Sequence, residues 1–320
     1  MERRFQIMAG TAAALVWLSA AGATHAQQSA PVTPTPFTVQ DQIVRKLSDH
    51  VWEIPDLSKP GNPNVVIVVG TRATLIVDCG MGPRSGAVVA RKAQALSGNT
   101  QFYLVTSDFR PEHITGAMSL PPQTVWIVPA GQKEDIHNIT PVYISTFSAR
   151  SADLADTLKG VKVLEPDITF DRDATIDLGG GVIVKLYWFG PALTNGDVAV
   201  FIEPDQVLYS GNFLNSKTYP SGPRQVANFD AWLEDIDKLE PLHPKIVIPN
   251  HGDVRDGSLI TDERLVLREL QSRARELRAQ GVSAEDAGSM LVAEFDPKHP
   301  DWKGPSGILS LVRRFYEEPQ

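Results

Sequence analysis

The sequence predicts a layered α/β fold, and three observations carry that prediction. Short apolar, β-branched runs recur along the chain, and segments with helical apolar spacing are interleaved with them. Of the 320 residues, 42% are apolar and 21% charged, the balance of a folded globular chain. An all-β sandwich would lack the interleaved helices, and the composition excludes a disordered, collagen-like or multi-span membrane chain. The formal charge of −8 and the absence of Lys/Arg runs argue against nucleic acid as a partner. One cysteine, Cys79, excludes an intramolecular disulfide and a multi-cysteine zinc site, and it reads as a small buried hydrophobe.

Residues 1–26 read as a signal peptide. Arg3 and Arg4 supply a basic start, Ile7 to Ala23 an apolar stretch too short for a comfortable span, and Thr24-His25-Ala26 a small-residue cleavage site. The expected location is therefore periplasmic or secreted, with no stable membrane span after processing. Residues 27–43 begin with the Pro/Thr/Gln-rich stretch 27–40, which reads as a flexible leader. From residue 44 the strand-like runs are 50–54, 64–70, 73–78, 101–106 and 124–128, with an amphipathic helix over 85–96. The runs 174–177, 181–189, 198–203, 206–210 and 245–248 are strand-like again. Phe229, Trp232, Leu233, Ile236 and Leu239 mark a helix. These elements define a domain over 44–257. Residues 258–320 form a helical extension packed on it, with helices expected from Thr261, from Ser283 and over 308–316. Nothing in the sequence fixes an oligomeric state.

The most informative segment is Ser107-Asp108-Phe109-Arg110-Pro111-Glu112-His113-Ile114-Thr115-Gly116, which follows an apolar strand. On an extended loop, residues 108, 110 and 112 point to one side and His113 sits beside them, so that polar side chains gather at one point. No Gly-x-Ser-x-Gly elbow or P-loop is present, which argues against a serine hydrolase or a nucleotide enzyme.

Here the chain resembles the metallo-β-lactamase superfamily, from about His50 to the C-terminus. The loop stands where that family has His-x-His-x-Asp-His. Leu75-Ile76-Val77-Asp78-Cys79-Gly80 resembles its Asp-x-Gly strand end, and residues 190–197 (GPALTNGD) its Gly-Pro-Ala-His-Thr-x-Gly-Asp segment. Leu208-Tyr209-Ser210-Gly211-Asn212 resembles its Gly-Asp strand end, and Val247-Ile248-Pro249-Asn250-His251-Gly252 its Ile-Pro-Gly-His-Gly segment. The resemblance implies an αββα sandwich with the site at one edge, and hydrolysis of a small ester, lactone or amide. It also implies pocket positions for Leu193 and Asn212, and orienting roles for Asp78 and Asp197; Tyr187 and Trp188 could line the pocket as well, although strand aromatics are more often core.

The departures shape the expectation. Asp108 and Arg110 stand in place of two family histidines, Glu112 of the aspartate, Leu193 of a third histidine and Asn212 of the bridging aspartate. His113 and His251 are kept. Arg110 and Leu193 offer a metal no electron pair, so the first metal position is expected to be lost. Two alternatives remain. One zinc or ferrous ion could sit on Glu112, His113 and His251 with Asn212 as a weak fourth ligand, Arg110 polarising a carbonyl and Asp108 acting as general base. Alternatively the pocket is metal-free, the slightly preferred alternative, with Arg110 paired to Asp108 and Glu112. The protein would then be a binding protein or a pseudoenzyme, Arg110 holding an anionic small molecule. A lyase step is a further, smaller possibility. His50, His137, His243 and His299 match no ligand position and read as surface or packing residues.

Overall fold

A computed structural model describes residues 37–40, 43–57, 61–219 and 228–318. The segment read as a signal peptide, residues 1–26, and most of the expected leader lie outside the described residues. Two mixed sheets face each other. The first orders β1 (Arg45–Lys46), β2 (Val51–Ile54), β3 (Val65–Val69), β4 (Thr74–Val77), β5 (Phe102–Val105), β6 (Val125–Pro129) and β7 (Ile168–Phe170). It is antiparallel from β1 to β4 and parallel from β4 to β7. The second orders β12, β11, β10, β9 and β8, comprising β8 (Asp173–Asp177), β9 (Ile183–Tyr187), β10 (Ala199–Glu203), β11 (Val207–Tyr209) and β12 (Ile246–Ile248). Only β11–β12 is a parallel pair in this sheet.

Strands buried on both faces read as unbroken apolar runs, which is why β3 (VVIVV) and β4 (TLIV) stand out in the sequence. Val66, Val68, Leu75 and Val77 of the first sheet meet Val184, Leu186, Val200 and Ile202 of the second in the central core. The alternate residues Val65, Ile67 and Ile76 turn outward under helix α1 (Gly82–Ser97). A second helical layer, α6 (Phe229–Leu239), covers the other sheet through Trp232 and Ile236. The αββα sandwich expected from the resemblance is therefore the observed architecture.

Three regions differ from the sequence reading. The site loop is not extended throughout: Pro111–Ile114 is a single helical turn, α2, with Pro at its start. Between β6 and β7 lie α3 (Ala130–Asn138), α4 (Thr140–Ser148) and α5 (Ala152–Thr157), which the apolar pattern does not announce. The described end of the leader is anchored: Val39 is buried in the α1 cluster, and its N–H donates to Ser85 Oγ at 3.2 Å.

The C-terminal extension comprises α7 (Ser258–Ala279), α8 (Ala284–Phe295) and α9 (Ser306–Glu317). Helix α7 starts three residues before Thr261, while the expected cap of α8 is observed, with Ser283 Oγ accepting from Asp286 N at 3.1 Å. Leu267, Leu270, Leu291, Leu311 and Phe315 share one apolar cluster with Trp232 and Phe213, so the extension and the domain have a common core.

Candidate functional site

The site lies at the ends of β4, β5 and β11 and of the segment after β12. Asp78 follows β4 with φ 59°, a left-handed conformation that Asp tolerates better than most residues, and this turns its carboxylate into the site. Ser107 N and Oγ donate to its two oxygens at 2.7 and 2.8 Å, and Tyr209 OH donates to Oδ2 at 2.5 Å. The Tyr209 hydroxyl stays protonated because burial and the Asp78 charge push its pKa well above the ordinary value.

Asp78 Oδ2 also lies 2.9 Å from His113 Nδ1, which fixes the ring and leaves Nε2 as its outward atom. That Nε2 is buried without a hydrogen-bond partner; the nearest carboxylate oxygen, Asp108 Oδ1, is 3.6 Å away, too far for a hydrogen bond. Burial disfavours the His113 imidazolium, but the Asp108 and Asp78 charges outweigh it and raise the pKa to about 9.

Arg110 caps the α2 turn, and its ion pair goes to Asp108. Its backbone N–H donates to Asp108 Oδ1 at 2.7 Å, Nε donates to Oδ2 at 2.6 Å, and Nη2 pairs with the same oxygen. Asn212 Nδ2 adds a further donor to Oδ2 at 2.9 Å. Burial pushes the Asp108 carboxyl up, but Arg110 and His113 outweigh it and hold the pKa below the usual carboxylate range. Charge-assisted bonds of this kind define a closed pair with little basicity left. The expected Arg110–Glu112 contact is not formed. Glu112 is buried and its Oε2 has no partner.

The other predicted residues divide. Asp197 Oδ2 accepts from Thr194 N at 2.5 Å while Oδ1 is buried without a partner, and burial together with the Asp108 charge pushes its pKa up to about 7. Leu193 is buried and packs into the apolar cluster shared with the C-terminal helices. Asn212 Oδ1 already accepts from Asn250 Nδ2 at 2.5 Å, so the oxygen assigned to a metal is engaged. His251 has its Nδ1 3.5 Å from Asp56 Oδ2, with its side chain 26% exposed. Tyr187 is half-buried and stacks on Phe189.

The sequence reading missed several supporting residues. Ser107 and Tyr209 hold Asp78, and Asn64 Nδ2 donates to Pro249 O and Gly252 O, fixing the turn that carries His251. Gln132 on α3 donates to Thr106 O and Gly196 O, and Asp135 accepts two bonds from Asn195, joining the loop 192–197 to the 106–110 segment. A side chain at Gly196 would collide with Gln132, which explains the glycine there. Their signal was weak, because each serves a contact distant in sequence.

The residues do not fit the metal pair of the fold. Arg110 and Leu193 contribute no lone pair at the first position, and Asp108 is saturated by Arg110 and Asn212. At the second position Asn212 is engaged, and among the described residues no three His, Cys, Asp or Glu side chains gather closely enough to hold an ion.

Comparison with known proteins agrees with this architecture. A sequence profile of the Metallo-beta-lactamase superfamily matches residues 58–251, and the chain belongs to that superfamily. No curated protein sequence matches it. Among solved structures, a metallo-beta-lactamase from Pontibacter korlensis superposes with a TM-score of 0.57 at 19% identity, over 71% of this chain and 98% of the other. The stereoselective inverting sec-alkylsulfatase Pisa1 from Pseudomonas sp. gives 0.65 at 15% identity, over 85% of this chain and 50% of the sulfatase. The chain thus spans about half of that sulfatase.

Proposed function

We propose that this chain is an exported, small-molecule-binding member of the superfamily in which the guanidinium of Arg110 takes the place of the metal charge. One observation carries this reading: Asp108, at the first metal position, is fully engaged by Arg110 and Asn212. Three of the five guanidinium N–H groups have no acceptor among the described residues, so a ligand oxygen can bind Arg110 without breaking that pair. Elemental analysis after expression with added zinc tests it. Sub-stoichiometric metal is expected, and a dialysis-stable pair of ions per chain would end this reading. Export is tested by N-terminal sequencing of the protein recovered outside the cytoplasm, where a start near Gln27 is expected.

A second reading, hydrolysis of a small ester, lactone or amide, is favoured by the Asp78–His113 pair. Arg110 and His113 Nε2–H would bind the developing oxyanion while water adds to the carbonyl carbon. The water's proton would pass to the unpartnered Glu112 oxygen and then to the leaving group as its bond to carbon breaks. Asp108 would not be the base, because three donors and a lowered pKa weaken its hold on a proton. Loss of turnover in His113→Gln, with metal content unchanged, would distinguish this reading from pure binding.

A further inference from the structure

Asn212 stands between two buried side chains of opposite hydrogen-bonding sense. Its Nδ2 donates to Asp108 Oδ2 at 2.9 Å, and its Oδ1 accepts from Asn250 Nδ2 at 2.5 Å. The polarity of this chain is fixed. A carboxylate paired with a guanidinium only accepts, so the end of Asn212 that faces Asp108 must be its NH2 group, and the end that faces Asn250 its oxygen. Asn250 in turn presents its NH2 group to Asn212 and its oxygen to Tyr209 OH, 3.3 Å away. Asn250 is fully buried and its backbone N–H donates to Gly211 O at 3.1 Å, so the amide pair is held from both ends.

We propose that Asn212 is the specificity-determining residue of the site: its amide nitrogen, one atom different from a carboxylate oxygen, selects the guanidinium of Arg110 over a divalent cation. This deepens the guanidinium-centred reading of the site and rests on it. Asp108 Oδ2 and Asn212 Nδ2 are 2.9 Å apart, and Asp108 Oδ1 and His113 Nε2 are 3.6 Å apart. Two ligands of one tetrahedral ion, at bond lengths of about 2.0–2.1 Å, stand roughly 3.4 Å from each other, so these atoms have the spacing of groups that share an ion. One of them is an N–H group, which has no lone pair to give. Among the described residues no three His, Cys, Asp or Glu side chains gather closely enough to hold an ion, and a carboxylate at position 212 would be the third beside Asp108 and His113. It would keep the bond from Asn250, so the fixed polarity would aim its other oxygen at Asp108. Two carboxylates at that distance repel unless positive charge lies between them. Arg110, already engaged with Asp108 through Nε and Nη2, balances one of the two, and a divalent cation would balance the other.

The test compares thermal melts of the parent, Asn212→Asp and Asn212→Ala in EDTA, in zinc chloride, and in potassium chloride at matched ionic strength, with zinc content read after dialysis. Asn212→Asp should melt below the parent in EDTA, gain about 5 °C or more at saturating zinc, and retain zinc through dialysis. The parent and Asn212→Ala should not respond to zinc. Asn212→Ala loses the same donor without adding a carboxylate, so a purely structural role for the bond requires both variants to behave alike, and that outcome would overturn the proposal. Equal stabilisation of Asn212→Asp by potassium chloride would overturn it too, because screening of like charges would then replace coordination. If Asn212→Asp is unfolded in EDTA, as judged by circular dichroism, recovery of the native spectrum on adding zinc is the expected result, and no recovery counts against the proposal in the same way. A metal-free parent with an unresponsive Asn212→Asp would overturn the role of Asn212 while leaving the guanidinium-centred site standing. A parent that itself holds two zinc ions through dialysis would overturn both.

Discussion

Around Asp108 every carboxylate oxygen has a donor, whereas one turn further along the chain Glu112 Oε2 and His113 Nε2 have none. Both halves are buried and lie on the same loop, so burial and position in the chain do not explain the difference. The partners do. The Asp108 half is closed by residues of the chain itself: a guanidinium two positions away and an amide from the end of β11. The Glu112 half keeps unmade bonds that cost stability, which is the pattern of a region shaped for something other than folding. The closed half supplies fixed charge and the open half supplies recognition.

The largest expected effect tests the closed half. Arg110→Ala leaves Asp108 buried without its cation, and breaking a buried pair in this way costs about 3–5 kcal/mol. Urea unfolding of the variant should show a loss of unfolding free energy of that size. A loss below about 1 kcal/mol would mean that the pair behaves as a solvated one and that the halves do not differ.

The open half should respond with the opposite sign. Glu112→Ala removes a buried oxygen with no partner, so stability should hold or rise, by up to about 1–3 kcal/mol, in the same unfolding assay. A loss comparable to that of Arg110→Ala would show that Glu112 is engaged after all.

The pH dependence sharpens the contrast, because the two halves pull in opposite directions. Asp108 titrates below its unfolded value, so its contribution is present above about pH 3.8 and fades as pH falls below that. Asp197 is raised from 3.8 to about 7, so its contribution is full below pH 3.8 and is lost as pH rises through 7. Melting temperatures between pH 4 and 7 should therefore carry a downward slope, to which buried Glu53, also raised to about 7, and Glu263 contribute, and Asp197→Asn should make that slope shallower. An unchanged slope in that variant would place the titration elsewhere.

The fold was largely legible because its strands are doubly buried and hence unbroken apolar runs such as residues 65–69. The helices α3 and α4 were not. In α3 the buried positions include Gln132 and Asp135, polar residues that bond neighbouring loops and so erase the apolar period. The site loop was legible in composition but not in pairing. Glu112 and Asp108 are equally distant from Arg110 in sequence, and only the α2 turn, started by Pro111, decides between them. The role of Tyr209 was not legible because its partner Asp78 lies 131 positions away, and no local pattern records such a contact.

The smallest expected effect concerns His251, the one candidate ligand that lies outside both halves. It contacts Asp56 only at 3.5 Å, beyond hydrogen-bond length, and its side chain is 26% exposed. The turn that carries it is fixed by other means, since Asn64 holds the backbone of Pro249 and Gly252, and Ser216 N donates to His251 O. Replacing the imidazole with the Gln amide therefore removes no bond on which the turn depends, and His251→Gln should change stability by less than about 0.5 kcal/mol. It should also leave metal content at the level of the parent. A metal site on Glu112, His113 and His251 requires the reverse, because losing one of three ligands would release the ion. Plasma emission spectrometry and melting curves of parent and variant after zinc loading separate these outcomes. A parent that holds zinc and a variant that loses it would return the site to metal chemistry and make the unpartnered atoms of Glu112 and His113 its ligands.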